Sequence, residues 1–287
     1  MPRLSYAAPA SVPDAVKLLA GAQGLAKVMS GGTDLLVQLR SGRAKPELIV
    51  DTKKIPGMMG IRETADGWVI GAATPSAELS EHAGFSAAYP GVVEGTNLIG
   101  STQVQGRASL AGNLCNASPA ADSVPAMIAA GAVAVVVGPT GQRSVPVAQI
   151  VTAPGRTSLA KGEFIFEFHF PKVSGKQADA YLRFIPRTEM DIAVVGCGVN
   201  LTLDAAGVIT AASVVLGAVA PTQVAVDATS IVGSKLDDAA LAALDTAARA
   251  ACNPINDKRG TIEFRTKVAG VLARRAAKIA YDRAGAR

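Results

Sequence analysis

Two runs of small residues are where this chain could do chemistry. Lys27-Val28-Met29-Ser30-Gly31-Gly32-Thr33-Asp34 follows a short apolar strand and opens a helix. Ala108 to Asp122 carries Ser109, Gly112, Asn113, Cys115 and the closing carboxylate of Asp122, and shows neither helical nor strand period. Side chains this small leave backbone N–H groups uncovered, so amides and hydroxyls can hold an anion without a strong demand for lysine or arginine. Two such loops suit one diphosphate between them. The plain alternative for the first is a tight strand-to-helix turn, and for Asp122 a carboxylate favouring a helix start, which is compatible with binding.

Other reactive side chains are few. His82 and His169 are the only histidines, and neither falls in the two runs, so both are expected to be structural. Cys115, Cys197 and Cys252 are an odd number without close spacing. That excludes a disulfide framework and leaves too few thiolates for a four-cysteine iron–sulfur cluster, so any cluster must come from a partner. Cys115 also reads simply as a small buried thiol. Arg183 to Asp191 brings two arginines, a carboxylate pair and Met190 into one segment, and for Arg187 and Asp191 an ion pair and a role at the site stand side by side.

The elements that must position these residues follow from caps, periods and turns. Ser11 reads as the cap of a helix through Leu19, with Pro13 and Asp14 in its first turn. A strand from Ala26 to Ser30, the glycine loop, a helix from Asp34 to Arg40 and a strand at Leu48–Asp51 make a small β-α-β unit. Asp66-Gly67 between two apolar segments predicts a hairpin. Helices are expected near 76–82, 88–99 and 119–130, and strands at 133–137 and 164–170, the last ended by Pro171. Beyond about residue 177 come three long antiparallel strands, near 180–184, 193–203 and 208–219, and then two or three alanine-rich helices. The two glycines of the first loop are not the three-glycine fingerprint of a doubly wound dinucleotide fold.

Composition narrows the function classes. A chain of 287 residues can bury two domains or subdomains. The longest apolar run, which takes in Ala129 to Val137, extends from Ala126 to Val137, twelve residues with Gly131 among them, far short of the ~20 that span a bilayer. No secretory signal is visible at Met1–Tyr6, so a cytoplasmic protein is expected. The net charge of +5 is spread along the chain and only 4% of residues are aromatic, which excludes the basic patches and stacking platforms of a nucleic-acid binder.

Four segments in order, Ser30-Gly31-Gly32-Thr33, Ala108 to Asp122, Arg187-Thr188-Glu189-Met190-Asp191-Ile192-Ala193 and Leu216-Gly217-Ala218-Val219-Ala220-Pro221, make the chain similar to the FAD-binding medium subunits of the molybdenum hydroxylases, the family of xanthine dehydrogenase and carbon monoxide dehydrogenase. The resemblance implies an α+β fold. It comprises a two-subdomain FAD-binding domain of the PCMH/vanillyl-alcohol-oxidase type over 1–175, divided at about 56, then a C-terminal flavoprotein domain over 176–287 with a three-stranded antiparallel sheet and helices. It also implies that Val28 to Asp34, with Lys27 beside them, wrap the diphosphate and ribityl region. Ser109, Gly112, Asn113, Cys115 and Asp122 would hold the ribityl chain, ring edge and adenosine side, with Asp122 accepting from a ribose hydroxyl pair. Arg183 and Ile165 would approach the isoalloxazine ring, and Arg187 to Asp191 would form a loop beside it. A cation near the ring's pyrimidine end would favour negative charge on the reduced ring.

The same resemblance implies a heteromeric enzyme. A large subunit would carry the molybdenum cofactor and oxidise substrate, a small subunit would carry [2Fe-2S] clusters, and this chain's FAD would pass electrons to an external acceptor; substrate chemistry on this chain would need a base at the flavin ring. No histidine is placed there, so non-covalent FAD working by electron transfer is expected, in a dimer of heterotrimers. Ile99 stands where animal xanthine dehydrogenases carry an aromatic over the flavin, Thr188 replaces a second arginine and Ala111 the first glycine of a pair, and the cysteine-bearing insertion of the hydroxybenzoyl-CoA reductase branch is missing. Two rivals remain: a stand-alone FAD-dependent oxidase of related fold, which needs its own base, and an assembly subunit without cofactor, which would not need two intact glycine loops.

Overall fold

Ser11 Oγ accepts the Asp14 amide at 3.2 Å, and Pro13 occupies a first-turn position that needs no donor, so α1 (Val12–Gly21) begins where the sequence offers both. The computed structural model describes residues 4–187 and 190–287. Strand β1 (Ser5–Ala7) precedes α1, and β2 (Ala26–Met29), α2 (Leu35–Arg40) and β3 (Leu48–Asp51) follow it. The three strands form a parallel sheet of order β1-β3-β2. Ser5–Ala7 is thus a strand in its own right, paired with Leu48–Val50, where the sequence reading ran directly into the helix.

The second sheet starts with the Asp66-Gly67 hairpin, β4 (Ile61–Thr64) and β5 (Gly67–Gly71). Six short helices come next: α3 (Ser76–Glu81), α4 (Ala83–Ala88), α5 (Pro90–Asn97), α6 (Thr102–Gln105), α7 (Leu110–Cys115) and α8 (Ser123–Ala129). Strands β6 (Val133–Gly138) and β7 (Gly141–Pro146), the small hairpin β8 (Val151–Ala153) and β9 (Arg156–Thr157), and β10 (Phe164–Pro171) complete this part. The sheet order is β4-β5-β10-β6-β7. Two expectations change here. The supposedly aperiodic Ala108–Asp122 run contains α7, capped by Ser109 Oγ on the Gly112 amide at 3.2 Å and closed by Ala117 at φ +51°. The helix expected from residue 119 begins at Ser123, whose amide and hydroxyl are both taken by Asn113 Oδ1 at 3.3 and 2.8 Å.

The last part is a four-stranded antiparallel sheet, β11 (Lys176–Phe184), β12 (Val195–Leu203), β13 (Ile209–Gly217) and β14 (Val224–Val226), in that order, with α9 (Asp238–Ala250) and α10 (Ile262–Gly285). The expected three strands are corrected to four. The fourth pairs with Val214–Leu216 and is three residues long, too short to show a period. Along β12 the residues alternate faces as a strand must. Val195, Cys197, Val199 and Leu201 join the alanine-rich side of α10 in one apolar cluster, while Gly198 faces the start of α8, where an added Cβ would lie 2.7 Å from Pro125 and Ala126 backbone.

Asp179 on β11 makes the most demanding polar contact across this junction. It is buried and accepts the amides of Gly91 and Val92, each at 3.0 Å. Burial nevertheless pushes its carboxyl up to about 7, against those two amides. Its folded value therefore lies above its unfolded one, so its contribution to stability is complete below about pH 4 and is lost as pH rises through about 7. In Asp179→Asn that loss is absent. The unfolding free energy of the variant should gain on the wild type between pH 4 and 7 in denaturant titrations; a difference that stays constant with pH would show that Asp179 ionises normally.

Candidate functional site

Between the two small-residue runs lies a cleft of about 460 Å³. Lys27 to Asp34 forms one wall, and Ser109, Gly112, Asn113 and Cys115 another; Ile99 and Ile165 also line it. The two runs touch backbone to backbone. A Cβ on Gly31 would lie 1.7 Å from the Arg107 carbonyl oxygen, so only glycine allows this approach, and Gly32 takes φ +81°. Gln38 Nε2 on α2 donates to Asn116 Oδ1 at 2.9 Å and ties the helix after the first loop to the end of α7.

The glycine turn of the first loop leaves its amides uncovered. Among the described residues, no acceptor takes the amide hydrogens of Gly31, Gly32 or Thr33. Backbone donors left free on a concave, glycine-rich wall are an anion-binding arrangement. On the opposite wall Asn113 uses its Oδ1 on Ser123, and Cys115 is reached by solvent from the cleft while protein surrounds it on the other sides. That surrounding pushes its thiol up to about 12 although Lys27 is near, which keeps it protonated and unsuited to nucleophilic work.

Asp122 and Arg183 are brought together, but not onto the cleft wall. Arg183 Nη1 donates to Asp122 Oδ2 at 2.7 Å and to the Leu98 carbonyl at 2.9 Å, and Tyr181 donates its hydroxyl to Asp122 Oδ1 at 2.9 Å. Both carboxylate oxygens expected on a ribose are thus engaged by β11. Burial pushes the Asp122 carboxyl up to about 6 against the pull of Arg183 and Tyr181. Arg187 pairs with Asp191 at 3.2 Å, and Arg259 approaches the same carboxylate at 3.6 Å. Thr188 and Glu189, which belong to the same expected loop, lie outside the described residues.

Neither histidine is at the cleft. His82 Nδ1 caps α4 at 3.1 Å and its ring meets Trp68 edge-on, and His169 sits 2.7 Å from Glu167. Sequence reasoning missed Leu25, Gln38 and the wall from Thr157 to Phe164. Leu159-Ala160-Lys161-Gly162 carries no local pattern for binding, and only the pairing of β10 inside its sheet brings it to the cleft. The arrangement offers neutral donors for a diphosphate and apolar flanks for ring systems, with no histidine among the described lining residues.

Comparison with known proteins accounts for both halves of the chain. Residues 2–173 match the family model described as the FAD-binding domain in molybdopterin dehydrogenase, and residues 180–280 match the CO dehydrogenase flavoprotein C-terminal domain. The carbon monoxide dehydrogenase medium chain of Hydrogenophaga pseudoflava is 32% identical over 284 residues, covering 98% of each chain. The xanthine dehydrogenase FAD-binding subunit of Escherichia coli O157:H7 is 33% identical over 202 residues, 70% of this chain and 69% of that one. Among solved structures, the Hydrogenophaga pseudoflava carbon monoxide dehydrogenase matches with a TM-score of 0.93 over 98% of both chains at 32% identity. Quinoline 2-oxidoreductase from Pseudomonas putida 86, at 24% identity and TM-score 0.89, shares the fold.

The contact at Gly31 gives a direct test. Gly31→Ala must push the two loops apart, whereas Gly32→Ala meets Met29 Sδ at 3.2 Å and mainly strains the backbone. Purified Gly31→Ala should lose most of its flavin absorbance while keeping the circular dichroism of the fold, and Gly32→Ala should lose less. Full flavin content in Gly31→Ala would show that the loops need not touch.

Proposed function

The chain belongs to the family of FAD-binding medium subunits of the molybdopterin dehydrogenases, and from that membership we propose that its cleft holds one non-covalent FAD as the electron exit of a heteromeric molybdenum hydroxylase. The observation that carries this is the row of free amides at Gly31, Gly32 and Thr33, facing a wall of equally small residues across the cleft. FAD supplies the exchange between one-electron clusters and a two-electron acceptor. Substrate oxidation belongs to a large subunit with the molybdenum cofactor, and [2Fe-2S] clusters to a small subunit.

In this reading Val28 to Asp34 hold the diphosphate and ribityl chain, with Ser109, Gly112 and Asn113 opposite, while Lys27, Ile99, Cys115 and Ile165 border the remainder. Asp122 and Arg183 act through each other, fixing the wall at Leu98 and Ile99 from behind. A division into 1–175, itself split near 56, and 176–287 is supported by two separate apolar clusters, although Tyr181 reaches into the first. The assembly is a dimer of heterotrimers in the cytoplasm. The three free thiols suit a reducing compartment, and no helix among the described residues is long and apolar enough to cross a membrane. The stand-alone oxidase is disfavoured because both histidines are committed elsewhere.

Two outcomes follow. Acid precipitation of the purified chain should release all of its yellow chromophore, chromatographing as FAD; flavin held in the pellet, or FMN, would contradict a cleft without a covalent anchor. The chain alone should not reduce its flavin with carbon monoxide, aldehydes, purines or N-heterocycles, and should do so once the two partner subunits are restored. Rapid substrate-dependent bleaching of the isolated chain would favour the oxidase.

A further inference from the structure

Lys53 lies outside both small-residue runs and outside the cleft lining, yet it touches the first loop from behind. Its Nζ donates to the Ser30 carbonyl at 2.6 Å and to Asp51 Oδ1 at 2.7 Å. Asp51 is itself fixed. Its Oδ1 also accepts the Lys53 amide at 3.1 Å, its Oδ2 accepts the Tyr6 hydroxyl at 2.8 Å, and its backbone sits in register with Met29 at the end of β2. Three strands of one sheet therefore aim a single ammonium at one carbonyl.

That carbonyl belongs to the same peptide unit as the Gly31 amide. No peptide bond among the described residues is cis, and in a planar trans unit the C=O and N–H point in opposite directions. Fixing the Ser30 oxygen toward Lys53 therefore turns the Gly31 N–H away from Lys53, on the residue that lines the cleft. Glycine makes this restraint necessary, because without a Cβ the peptide on either side of Gly31 can flip at little steric cost.

We propose that Lys53 is a positioning residue of the flavin site, its ammonium holding the Ser30 carbonyl so that the Gly31 amide is presented to the diphosphate. This rests on the cleft being the FAD site. The charge of Lys53 is balanced by Asp51, so it acts by orienting a peptide and not by attracting the ligand through its own field.

The test uses the full chain stripped of flavin, with FAD and ADP dissociation constants measured by titration for wild type, Lys53→Met and Lys53→Arg. Lys53→Met should weaken both ligands by about tenfold or more, the effect of losing one charge-assisted hydrogen bond. Lys53→Arg, which keeps a charged donor between Ser30 and Asp51, should restore most of the affinity. Wild-type affinity in Lys53→Met overturns the proposal. So does an equal loss in both variants, which would make the site one of shape alone. A wild-type chain that binds neither FAD nor ADP would instead remove the functional reading on which the proposal stands.

Discussion

The contact between Gly31 and the carbonyl of Arg107 sets the geometry on which the cleft depends. With 1.7 Å between that oxygen and a hypothetical Cβ, the loops meet along their main chains, so their spacing is fixed by backbone and not by side-chain packing. Each side is then braced. The amide and the hydroxyl of Ser76 both donate to the Ala108 carbonyl, at 2.8 and 3.0 Å, and a bridge joins Pro75 to Ser109. On the other side Lys53, Asp51 and Tyr6 hold Ser30. A wall of free amides keeps its shape only if something outside the wall holds the peptides still, because the amides themselves have no partner until a ligand arrives.

The same device recurs where the C-terminal sheet meets the helices. Gly91 lies against Ala180 backbone, Gly95 against the Asp122 carbonyl, and Gly198 and Gly217 against Pro125. Gly196 leaves room for the Tyr181 hydroxyl, which would be 2.4 Å from a Cβ there, and that hydroxyl is the one that reaches Asp122. Around these close approaches run long-range polar contacts: Asp179 on the amides of α5, Tyr181 N on Glu94 at 2.9 Å, and Ala218 N on the Pro119 carbonyl at 2.7 Å. The two buried carboxylates find partners across the junction, and the desolvation that raises Asp122 and Asp179 is the cost of seating them there. The sheet is in this way bonded to the segment that follows the second loop.

Much of this was legible in the sequence, for reasons that can be named. Ser30-Gly31-Gly32-Thr33 and the Ala108–Asp122 run stand out because small residues in series leave backbone donors uncovered, and the Asp66-Gly67 hairpin because its turn chemistry is local. What escaped was either short or distant. Helix α7 has six residues and α3 to α6 no more than eight, too few turns for a period to show, while β14 and β1 have three each. The pairing of Asp122 with Arg183 spans 61 positions and that of Lys53 with Ser30 spans 23, and nothing in either neighbourhood marks the partner. The Leu216–Pro221 segment was recognised as a motif without a role. In the structure Ala218 adopts φ +64°, donates its amide to Pro119 and accepts from Arg265, which also holds Val194.

These placements separate two kinds of electrostatics. The buried charges behind the walls are paired with one another, as in Lys53 with Asp51, Arg183 with Asp122 and Arg265 with Asp257. At the glycine loop the cleft presents dipoles, free amides on one wall and an asparagine, a serine and a protonated thiol on the other, with Lys27, Asp34, Lys161 and Glu163 elsewhere in the lining. Fixed dipoles stabilise an anion without the full desolvation penalty of a buried charge, and, unlike a flexible lysine, they cannot collapse onto a neighbouring carboxylate while the site is free. Ion pairs, which hold direction well but gain little net energy when buried, are used behind the walls to fix where the dipoles point. A loop of glycine and serine can therefore act as a rigid receptor, its rigidity lent by residues that never face the ligand.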